Sequence, residues 1–555
     1  MKQRKKYISF ILCVMLLAGC QNSTTTSSST TTTSSNTIQF SNSTKVTGNG
    51  VSVNGDTVTI SEGGTYELSG TSENGQVIVD TKDQEVTLVL NNLTLTNTSS
   101  SPIYIKKAKQ VTITLKEGTT NTIKDSSPYQ NSDDETLTAT IYSKADLIFN
   151  GTGTLNVEAN YNNAIQSKDN LTFEEGTYSI TSVDDGIVGK DSLTFVNGTY
   201  TLKTTGDSIK TTNDSDSNLG NLAIQNGTFI IESEADSISS KNTLTIQNGN
   251  FNIKTTSLSS DTSTKGIKAT SSIDIEEGTF TIDTVDDAIH SNGTITINQG
   301  TFTLSTQDDG IHADEEITIN NGQILVKTSY EGIEANVIEI NNGTIDVTSS
   351  DDGINVAGGN DQSDQNGPFG GDPFSSSGNG ILTINGGNIV VKASGDGLDA
   401  NGSIYINGGT IYVNGPISDG DGALDYDNEC IVTGGTLLAI GSTGMAQNVS
   451  DGSQTSFITT LSQKYSPGSV IKIVDDSNQT ILDYTALTTY QSLVMSSSLL
   501  EVGKTYTIYV DGNEDSTITL SDTVTGISGM MGGPMGGQLG NPGQGIQGGP
   551  SARPE

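Results

Sequence analysis

The chain has 555 residues with 64 acidic against 26 basic side chains, and its net charge of -38 excludes a surface that binds nucleic acid phosphates. Only three cysteines are present, which excludes a disulfide framework as the source of stability. Gly is abundant (64 residues), Pro is scarce (10) and Trp is absent, a composition that favours short strands joined by tight turns over helices.

The first 19 residues have the pattern of a bacterial secretion signal. A basic segment at 2–6 precedes an apolar run at 7–17, and the Leu-Ala-Gly-Cys sequence that ends at Cys20 is similar to a lipoprotein lipobox. Cleavage before Cys20 would remove four positive charges, change the net charge from -38 to about -42 and leave Cys20 lipidated. The alternative is an uncleaved anchor helix, for which the apolar run is short. Residues 20–47 then predict a flexible Ser/Thr-rich tether.

From residue 163 the sequence repeats with a period of about 22 residues. The residue that precedes a small residue and Ile recurs with steps of 22, 22, 29, 29, 22, 22, 22 and 21, at Asn163, Asp185, Asp207, Asp236, Lys265, Asp287, Asp309, Glu331 and Asp352. A polar residue followed by Gly recurs in phase from Gly176 to Gly343. Each step of 29 contains a polar seven-residue insertion, near 213–218 and 257–264. Two independent markers in phase indicate a solenoid.

A coil of about 22 residues accommodates three short strands and three turns, which predicts an all-β, right-handed parallel β-helix over residues 48–435. The Ile of each repeat should point inward and stack on the Ile of the next coil, about 4.8 Å away. A β-propeller is the alternative, but it requires a period of about 40 residues or more.

Three further segments depart from this period. A Gly/Ser/Asp-rich insertion at 358–380, which carries Phe369 and Phe374, is interpreted as a disordered loop or as a lid over a ligand. Residues 436–525 lack the period and predict a small β cap over the open end of the solenoid. Residues 526–555 predict a disordered Gly-rich tail.

Six acidic phrases lie at 286–290, 308–312, 330–334, 351–355, 395–399 and 421–427. If each phrase occupies one coil, carboxylates stack along one face of the solenoid. Two such charges about 4.8 Å apart repel by roughly 0.9 kcal/mol in water and by about 3.5 kcal/mol at an effective dielectric constant of 20. The stack therefore needs a counter-ion, and Ca2+ is the natural candidate because it binds roughly six to eight oxygen ligands in flexible geometry.

The predicted metal ligands follow from these phrases. The first set is Glu331, Glu334, Asp352, Asn355, Asp396, Asp399, Asp421 and Asp425, and the second set is Asp308, Asp309, Asp351 and Asp427. Two residues three positions apart, such as Asp396 and Asp399, would converge on one ion. The alternative is that these side chains only cap turns and keep the surface soluble. That alternative is favoured for Asp185 and Asp207, which have lysines close by in the sequence.

His290 and His312, the only histidines, occupy the same position in successive coils and should therefore stack. Two interpretations stay open for them. They form either a transition-metal pair or a harmless ladder on a solvated face.

The chain resembles the carbohydrate-binding β-helix proteins on the surfaces of clostridia and related bacteria, from about residue 63 to residue 526. The resemblance rests on phrases in the expected order at 64–70, 86–92, 184–192, 206–214 and 441–448. It implies a polysaccharide lyase-like β-helix that binds calcium and acidic or cellulosic polysaccharide, without a demonstrated catalytic role. Residues 395–399 also resemble the calcium-binding Asp phrase of family 9 pectate lyases. Asp236 and Lys265 interrupt the usual phrase, which puts metal binding in those coils in doubt.

A catalytic role would require a base close to the metal, which in the enzymes of this resemblance is usually Lys or Arg. Lys392 is the only basic residue between Thr328 and Gln463, and it is therefore the one candidate. It could equally be a solvent-facing residue of its strand.

Four tyrosines are candidates for stacking on sugar rings, although each could instead fill a corner of a coil. They are Tyr330, Tyr405, Tyr412 and Tyr426.

We therefore expect a monomeric calcium-binding protein, lipid-anchored on the extracellular face of the bacterial cell membrane, that binds acidic (polygalacturonate-like) or cellulosic polysaccharide. A calcium-dependent pectate lyase and a structural or adhesive surface rod are the alternatives. Nucleic acid is not an expected partner.

Overall fold

The computed structural model describes residues 36–126, 129, 137–259, 261–356 and 379–526. Within these ranges the regular secondary structure consists of strands, without a helix. Accordingly, a helix long and apolar enough to cross a membrane is not found in the described part of the chain. The predicted signal peptide with Cys20, the tether up to residue 35, most of the 358–380 insertion and the tail after 526 lie outside the described residues.

Strand Asn163–Ser167 begins a coil that shows how the chain is built. Asn170–Phe173 and Thr177–Ser182 follow it, and the next strand, Ile187–Gly189, pairs in parallel with Asn163–Ser167. Each coil thus adds one strand to each of three parallel sheets, which we name face 1, face 2 and face 3 in the order in which the chain forms them. The predicted all-β parallel β-helix is confirmed.

Some long strands bend at a corner and contribute to two faces. The strands of face 1 are Thr57–Ile60, Gln76–Asp80, Ile103–Lys107, Ala139–Ser143, Asn163–Ser167, Ile187–Gly189, Ile209–Thr211, Ile238–Ser240, Ile267–Ala269, Ile289–Ser291, the first parts of Ile311–Ile319 and Ile333–Ile340, Ile354–Val356, Leu398–Ala400 and Leu424–Tyr426. The strands of face 2 are Asn36–Phe40, the first parts of Gly64–Ser72 and Glu85–Asn97, Gln110–Leu115, Asp146–Asn150, Asn170–Phe173, Ser192–Phe195, Asn221–Ile224, Thr243–Ile246, Ser272–Ile275, Thr294–Ile297, the second parts of Ile311–Ile319 and Ile333–Ile340, Gly380–Ile384, Gly402–Ile406 and Glu429–Val432. The strands of face 3 are the second parts of Gly64–Ser72 and Glu85–Asn97, Thr120–Asp125, Thr154–Ala159, Thr177–Ser182, Thr199–Thr204, Thr228–Ser233, Asn250–Thr255, Thr279–Asp283, Thr301–Ser305, Gln323–Thr328, Thr344–Thr348, Asn388–Lys392, Thr410–Asn414 and Thr436–Gly441. At the N-terminal end, Lys45–Thr47 and Val51–Asn54 pair antiparallel with the first strands of faces 2 and 1.

Inward side chains stack from coil to coil and form the core. On face 1 the predicted isoleucine stack runs in register from Ile165 to Ile354, and its members are fully buried. On face 3 a ladder of aromatic rings runs from Tyr178 to Phe302, with successive centroids 4.6 to 5.1 Å apart. These stacks fix the register, because a slip of one residue would turn each buried side chain outward.

The two seven-residue insertions bulge at corners and leave the register intact. Residues 212–220 connect face 1 to face 2, and the second insertion lies between Asn250–Thr255 of face 3 and Ile267–Ala269 of face 1. Ile209, Ile238 and Ile267 still pair in consecutive coils. The outward face of every coil therefore presents equivalent positions at a constant spacing.

The C-terminal region covers the end of the solenoid. Tyr490–Ser497 pairs antiparallel with Thr436–Gly441, the last strand of face 3, and also with Ser456–Tyr465, which in turn pairs with Val524–Thr525. A four-stranded antiparallel sheet follows, in the order Thr480–Thr485, Val470–Asp475, Thr505–Val510 and Asn513–Thr519. Its apolar side packs on Leu438 and Ile440. The predicted boundary between the solenoid and the cap, residue 436, is the first residue of Thr436–Gly441. This strand pairs with face 3 of the solenoid and with Tyr490–Ser497 of the cap.

Candidate metal centre

Two columns of side chains run along the outer side of face 1. Column 1 lies two residues before the inward apolar residue of each coil and contains Asn163, Asp185, Asp207, Asp236, Lys265, Asp287, Asp309, Glu331, Asp352 and Asp396. Column 2 lies directly after that residue and contains Gln166, Val188, Lys210, Ser239, Lys268, His290, His312, Glu334, Asn355, Asp399 and Asp425, in paired register. We call the members from one coil a rung.

Column 1 is tied together by hydrogen bonds between successive rungs. The Oδ1 atom of Asp287 accepts the backbone N–H of Asp309 at 3.0 Å, and Oδ1 of Asp309 accepts that of Glu331 at 3.1 Å. Asp352 accepts the N–H of Asp396 at 2.6 Å in the same way. One oxygen of each such carboxylate thus has a structural role, as the turn-capping alternative proposes. The second oxygen is available to a counter-ion.

In the N-terminal half of the columns the protein supplies that counter-ion itself. The Nζ atom of Lys210 lies 3.3 Å from Asp185 and 3.0 Å from Asp207. Lys265 is fully buried, and its Nζ lies 2.7 Å from Asp286 and 2.8 Å from Asp287. Although burial alone would lower the pKa of Lys265, the contacts with these aspartates raise it above the usual range. Each of these lysines offsets part of the charge of two carboxylates without a metal ion.

The histidines continue this arrangement. Their rings stack at 5.0 Å, as predicted, and Nδ1 of His290 lies 2.8 Å from Oδ2 of Asp287. Nδ1 of His312 lies 3.0 Å from Asp309 and 2.9 Å from Glu334. Burial alone would lower the pKa of His312, but its acidic neighbours raise it well above the usual value, which favours the imidazolium form. His312 is the last cation of column 2.

After His312 the columns contain carboxylates and an amide only. Asp352, Asp396 and Asp399 each offer one oxygen, and these three oxygens lie within 4.8 Å of one another. Gly395 leaves space for the carboxylates of the preceding coil. A Cβ atom at this position would lie 2.4 Å from Oδ1 of Asp352 and 2.5 Å from Oδ1 of Asp351. The structure thus brings together the predicted pair Asp396 and Asp399 and adds Asp352 from the preceding coil.

The charged forms of these carboxylates are disfavoured. Burial, reinforced by the neighbouring carboxylates, raises the pKa of Asp352 and of Asp396 to about 7 and the pKa of Asp399 to about 8. The same two causes raise the pKa of Glu331 to about 10. A cation among these side chains would favour their charged forms, because opposite charge within a few ångströms lowers a carboxyl pKa.

Asn355 lies beside this group in column 2 and has an oxygen without a hydrogen-bond partner among the described residues. Its Nδ2 atom donates a hydrogen bond of 2.7 Å to Glu331. Its Oδ1 atom is buried and, among the described residues, has no hydrogen-bond partner. Asn355 lies between Glu334 and Asp399 in column 2. Because an orphaned buried acceptor costs free energy, this oxygen is suited to a ligand.

The other predicted metal ligands lie around this group with different partners. Glu334 contacts His312, Asp421 accepts a hydrogen bond from Ser418, and Asp425 accepts one of 2.7 Å from Gln447. In the second set, Asp309 belongs to the hydrogen-bonded series of column 1, and Asp308 lies near Asp286 and Asp287. Asp351 lies beside Gly395, and Asp427 is exposed.

The predicted sugar-stacking tyrosines are spread over the molecule. Tyr330 is 47% exposed and lies beside Glu331. Tyr426 follows Asp425 on face 1, and its hydroxyl donates to the backbone carbonyl of Asn448 at 2.5 Å. Tyr405 belongs to face 2 and donates to Glu429, whereas Tyr412 belongs to face 3 and packs on Tyr484 of the cap. Only Tyr330 combines exposure with a place beside the acidic rungs.

Lys392, the candidate base, is the exposed last residue of strand Asn388–Lys392 on face 3. It therefore lies around a corner from columns 1 and 2. Sequence reasoning placed Lys265 in the repeat but did not identify its ion pairs with Asp286 and Asp287, and it missed Gln447. A basic residue at an acidic position of the repeat was a usable signal for Lys265, but the contact of Gln447 depends on how the chain continues after the last coil.

A family model described as "Carbohydrate-binding domain-containing protein" matches residues 54–310 and 307–465. A protein of Acetivibrio thermocellus with the same description is 40% identical over 126 residues, which are 22% of this chain and 44% of that relative. The match thus spans less than half of the relative's length. A solved structure of a polysaccharide lyase-like protein from C. thermocellum, a gadolinium derivative, is 28% identical with a TM-score of 0.39 and covers 47% of this chain and 96% of that chain.

Proposed function

The chain belongs to the family of carbohydrate-binding domain-containing proteins, and from this premise we propose that it binds polysaccharide through calcium held by Asp352, Asn355, Asp396 and Asp399. The observation that carries this proposal is the buried Oδ1 of Asn355, which has no hydrogen-bond partner among the described residues and lies in the same rung as Asp352, one of the three converging carboxylates. Two independent features, an orphaned oxygen and an unneutralised acidic cluster, thus point to one cation.

Calcium fits the donor set better than a transition metal. The group offers carboxylate and amide oxygens, which are the ligands of hard cations, whereas imidazole ligands suit zinc, copper or nickel. The nearest imidazole, on His312, is already held by Asp309 and Glu334. Three carboxylates and one amide supply fewer than the roughly six to eight oxygens that calcium takes, unless the three carboxylates all bind in a bidentate manner. The remaining positions are open to water or to oxygens of a bound glycan.

An acidic polysaccharide is the class of ligand that this arrangement favours. A chain with a net charge of -38 repels polyanions, but a bound cation offsets most of the charge of the three carboxylates and can bridge protein carboxylates to sugar carboxylates. Cellulosic polysaccharide would depend on hydroxyl and stacking contacts and would not require the metal. We therefore place polygalacturonate-like chains first.

Thermal unfolding and a pull-down test the proposal. Calcium should raise the melting temperature of the purified mature protein, and EDTA should lower it. Retention of the protein on immobilised polygalacturonate should require calcium. Unchanged melting in EDTA would remove the metal from the proposal, and retention of no glycan in calcium would favour the structural or adhesive rod.

We further propose that the mature protein is a monomer, lipid-anchored through Cys20 on the extracellular face of the membrane. The basic and apolar segments before the Leu-Ala-Gly-Cys sequence support the lipid anchor. Replacement of Cys20 by Ser should abolish incorporation of radiolabelled palmitate and release the protein from the membrane fraction. A variant that stays in that fraction would contradict the anchor.

A further inference from the structure

A cleft of about 500 Å³ lies between the solenoid and the C-terminal cap. The solenoid contributes Ser329, Ser350, Lys392 and Ser394 to its lining, and Ile417 contributes from the loop after the strand Thr410–Asn414. Leu487 contributes from the cap. The cap is held against the solenoid here, since Asn414 accepts the backbone N–H of Leu487 at 3.0 Å and donates to the hydroxyl of Tyr484 at 2.8 Å.

The lining of the cleft combines apolar and hydroxyl groups. Ile417 is 60% exposed and Leu487 is 41% exposed, although both are large apolar side chains. Exposed apolar residues that share one concave site indicate a ligand more strongly than scattered ones do. The serines offer hydroxyl groups beside them. A sugar ring matches such a lining, because it has an apolar C–H face and a rim of hydroxyl groups.

The cleft starts beside the metal centre. Ser329, Ser350 and Ser394 each lie two residues before a member of column 1, namely Glu331, Asp352 and Asp396. They occupy one position in three consecutive coils, and the backbone N–H of Ser350 donates to the carbonyl of Ser329 at 2.9 Å. The cleft therefore continues the metal-bearing surface around the corner toward face 3. A single polysaccharide chain can lie across both.

The positive charge of Lys392 favours an acidic sugar in this cleft. Lys392 is the only basic residue between Thr328 and Gln463, and it lines this cleft next to the most acidic stretch of the chain. A cationic side chain in that place offers a charge-assisted hydrogen bond to an anionic ligand. A neutral sugar would gain much less from it. The occupant that suits Lys392, the serines and the apolar pair together is a uronate residue.

We propose that this cleft is a uronate-binding subsite, in which Lys392 binds the sugar carboxylate and Ile417 and Leu487 contact the apolar face of the ring. The subsite rests on the proposed function, since it holds a second sugar of the chain that calcium binds at Asp352, Asp396 and Asp399. Lys392 here has a binding role, and no chemical step is assigned to it.

The test uses Lys392→Ala with Lys254→Ala as a matched control. Lys254 occupies the same strand position on face 3 several coils away, where it forms an exposed ion pair of 3.7 Å with Asp283. At fixed calcium, Lys392→Ala should bind polygalacturonate about tenfold more weakly, which corresponds to the loss of a charge-assisted hydrogen bond. Lys254→Ala should bind like the unmodified protein. The double variant Ile417→Ser, Leu487→Ser should also bind more weakly, and circular dichroism checks its fold.

The outcomes separate the subsite from the metal centre. Failure of the unmodified protein to bind polygalacturonate in calcium would overturn the proposed function and the subsite together. Normal binding by Lys392→Ala, or an equal loss in Lys254→Ala, would overturn the subsite alone. Calcium affinity is measured on the same variants by titration calorimetry. A loss of glycan binding in Lys392→Ala that only reflects weaker calcium binding would also overturn the subsite.

Discussion

Lys265 shows at the scale of one residue how this solenoid tolerates a column of carboxylates. It replaces an acid in column 1, is fully buried, and contacts Asp286 and Asp287 within 2.8 Å. Lys210 and His312 act in the same way in other rungs. The described rungs that follow contain no such cation, so the proposed metal ion is needed only there. A repeat can therefore switch between internal and external counter-ions by single substitutions.

Replacement of Lys265 by Met should destabilise the protein by about 3–5 kcal/mol, because it leaves buried carboxylates without a partner. Urea unfolding of the variant and of the unmodified protein, both in EDTA, measures this difference. Lys254→Met is the control, since the ion pair of Lys254 with Asp283 is exposed and such pairs contribute about 1 kcal/mol or less. Similar losses in the two variants would contradict the counter-ion role of Lys265.

The variant Asp399→Asn tests calcium binding at the proposed metal centre separately from the stability of the fold. The variant keeps the shape of the side chain and removes one negative charge from the cluster with Asp352 and Asp396. Calcium affinity should fall by about tenfold or more, since affinity for calcium depends on the charge of the ligands. In EDTA at pH 9 the variant should melt at a higher temperature than the unmodified protein, because one repulsive charge is gone.

Titration calorimetry and thermal unfolding measure these two effects of Asp399→Asn. Asp346→Asn is the control, because Asp346 is exposed on face 3 and lies away from columns 1 and 2. An Asp399→Asn protein with unchanged calcium affinity would exclude Asp399 from the site.

At the scale of the element, the corner after face 2 depends on glycine. Gly300 has a φ of +138°, and a Cβ atom there would lie 2.8 Å from the ring of Phe302 in the aromatic ladder and 3.2 Å from the carbonyl oxygen of Gly278. Gly300→Ala should therefore destabilise the protein by more than about 1 kcal/mol, through backbone strain and displacement of the ring. Gly118→Ala is the control, with a φ of +72° and open space around the Cβ position. A loss in Gly300→Ala no greater than in Gly118→Ala would show that the ladder adjusts.

The strands and turns could be predicted from the sequence where the 22-residue repeat determines both the order of residue types and how the side chains pack. The isoleucine stack and the corner glycines follow from the 22-residue repeat, since equivalent positions must superpose when each coil adds one strand to each sheet. The stacking of His290 on His312 follows for the same reason. The position of Lys392 around a corner from the columns was not predicted, because that requires knowing where each strand ends. The cleft could not be predicted either, because residues as distant as Lys392 and Leu487 meet only when the cap docks.

Across the whole molecule, columns 1 and 2 have lysine counter-ions toward the N-terminus and only acidic or amide side chains toward the C-terminus, so stability should depend on pH. Asp352, Asp396 and Asp399 have pKa values of about 7, 7 and 8, raised by burial and by neighbouring carboxylates. A carboxyl group whose pKa is raised on folding contributes stability that is complete below its unfolded pKa, near 4, and is lost as the pH rises through its folded pKa. In EDTA, the melting temperature should thus fall between about pH 5 and pH 9.

Calcium should oppose this fall, because it binds the charged carboxylates and competes with protons for them. The difference in melting temperature between calcium and EDTA should therefore increase from pH 5 to pH 9. Calcium at about 100 times its dissociation constant should contribute about 2.7 kcal/mol at the higher pH. The raised pKa of His312 also lowers stability as the pH rises above the unfolded value of a histidine, but it does so in both conditions and cancels in the difference. Differential scanning calorimetry across this range measures both curves, and a difference independent of pH would contradict a metal centre built from these three aspartates.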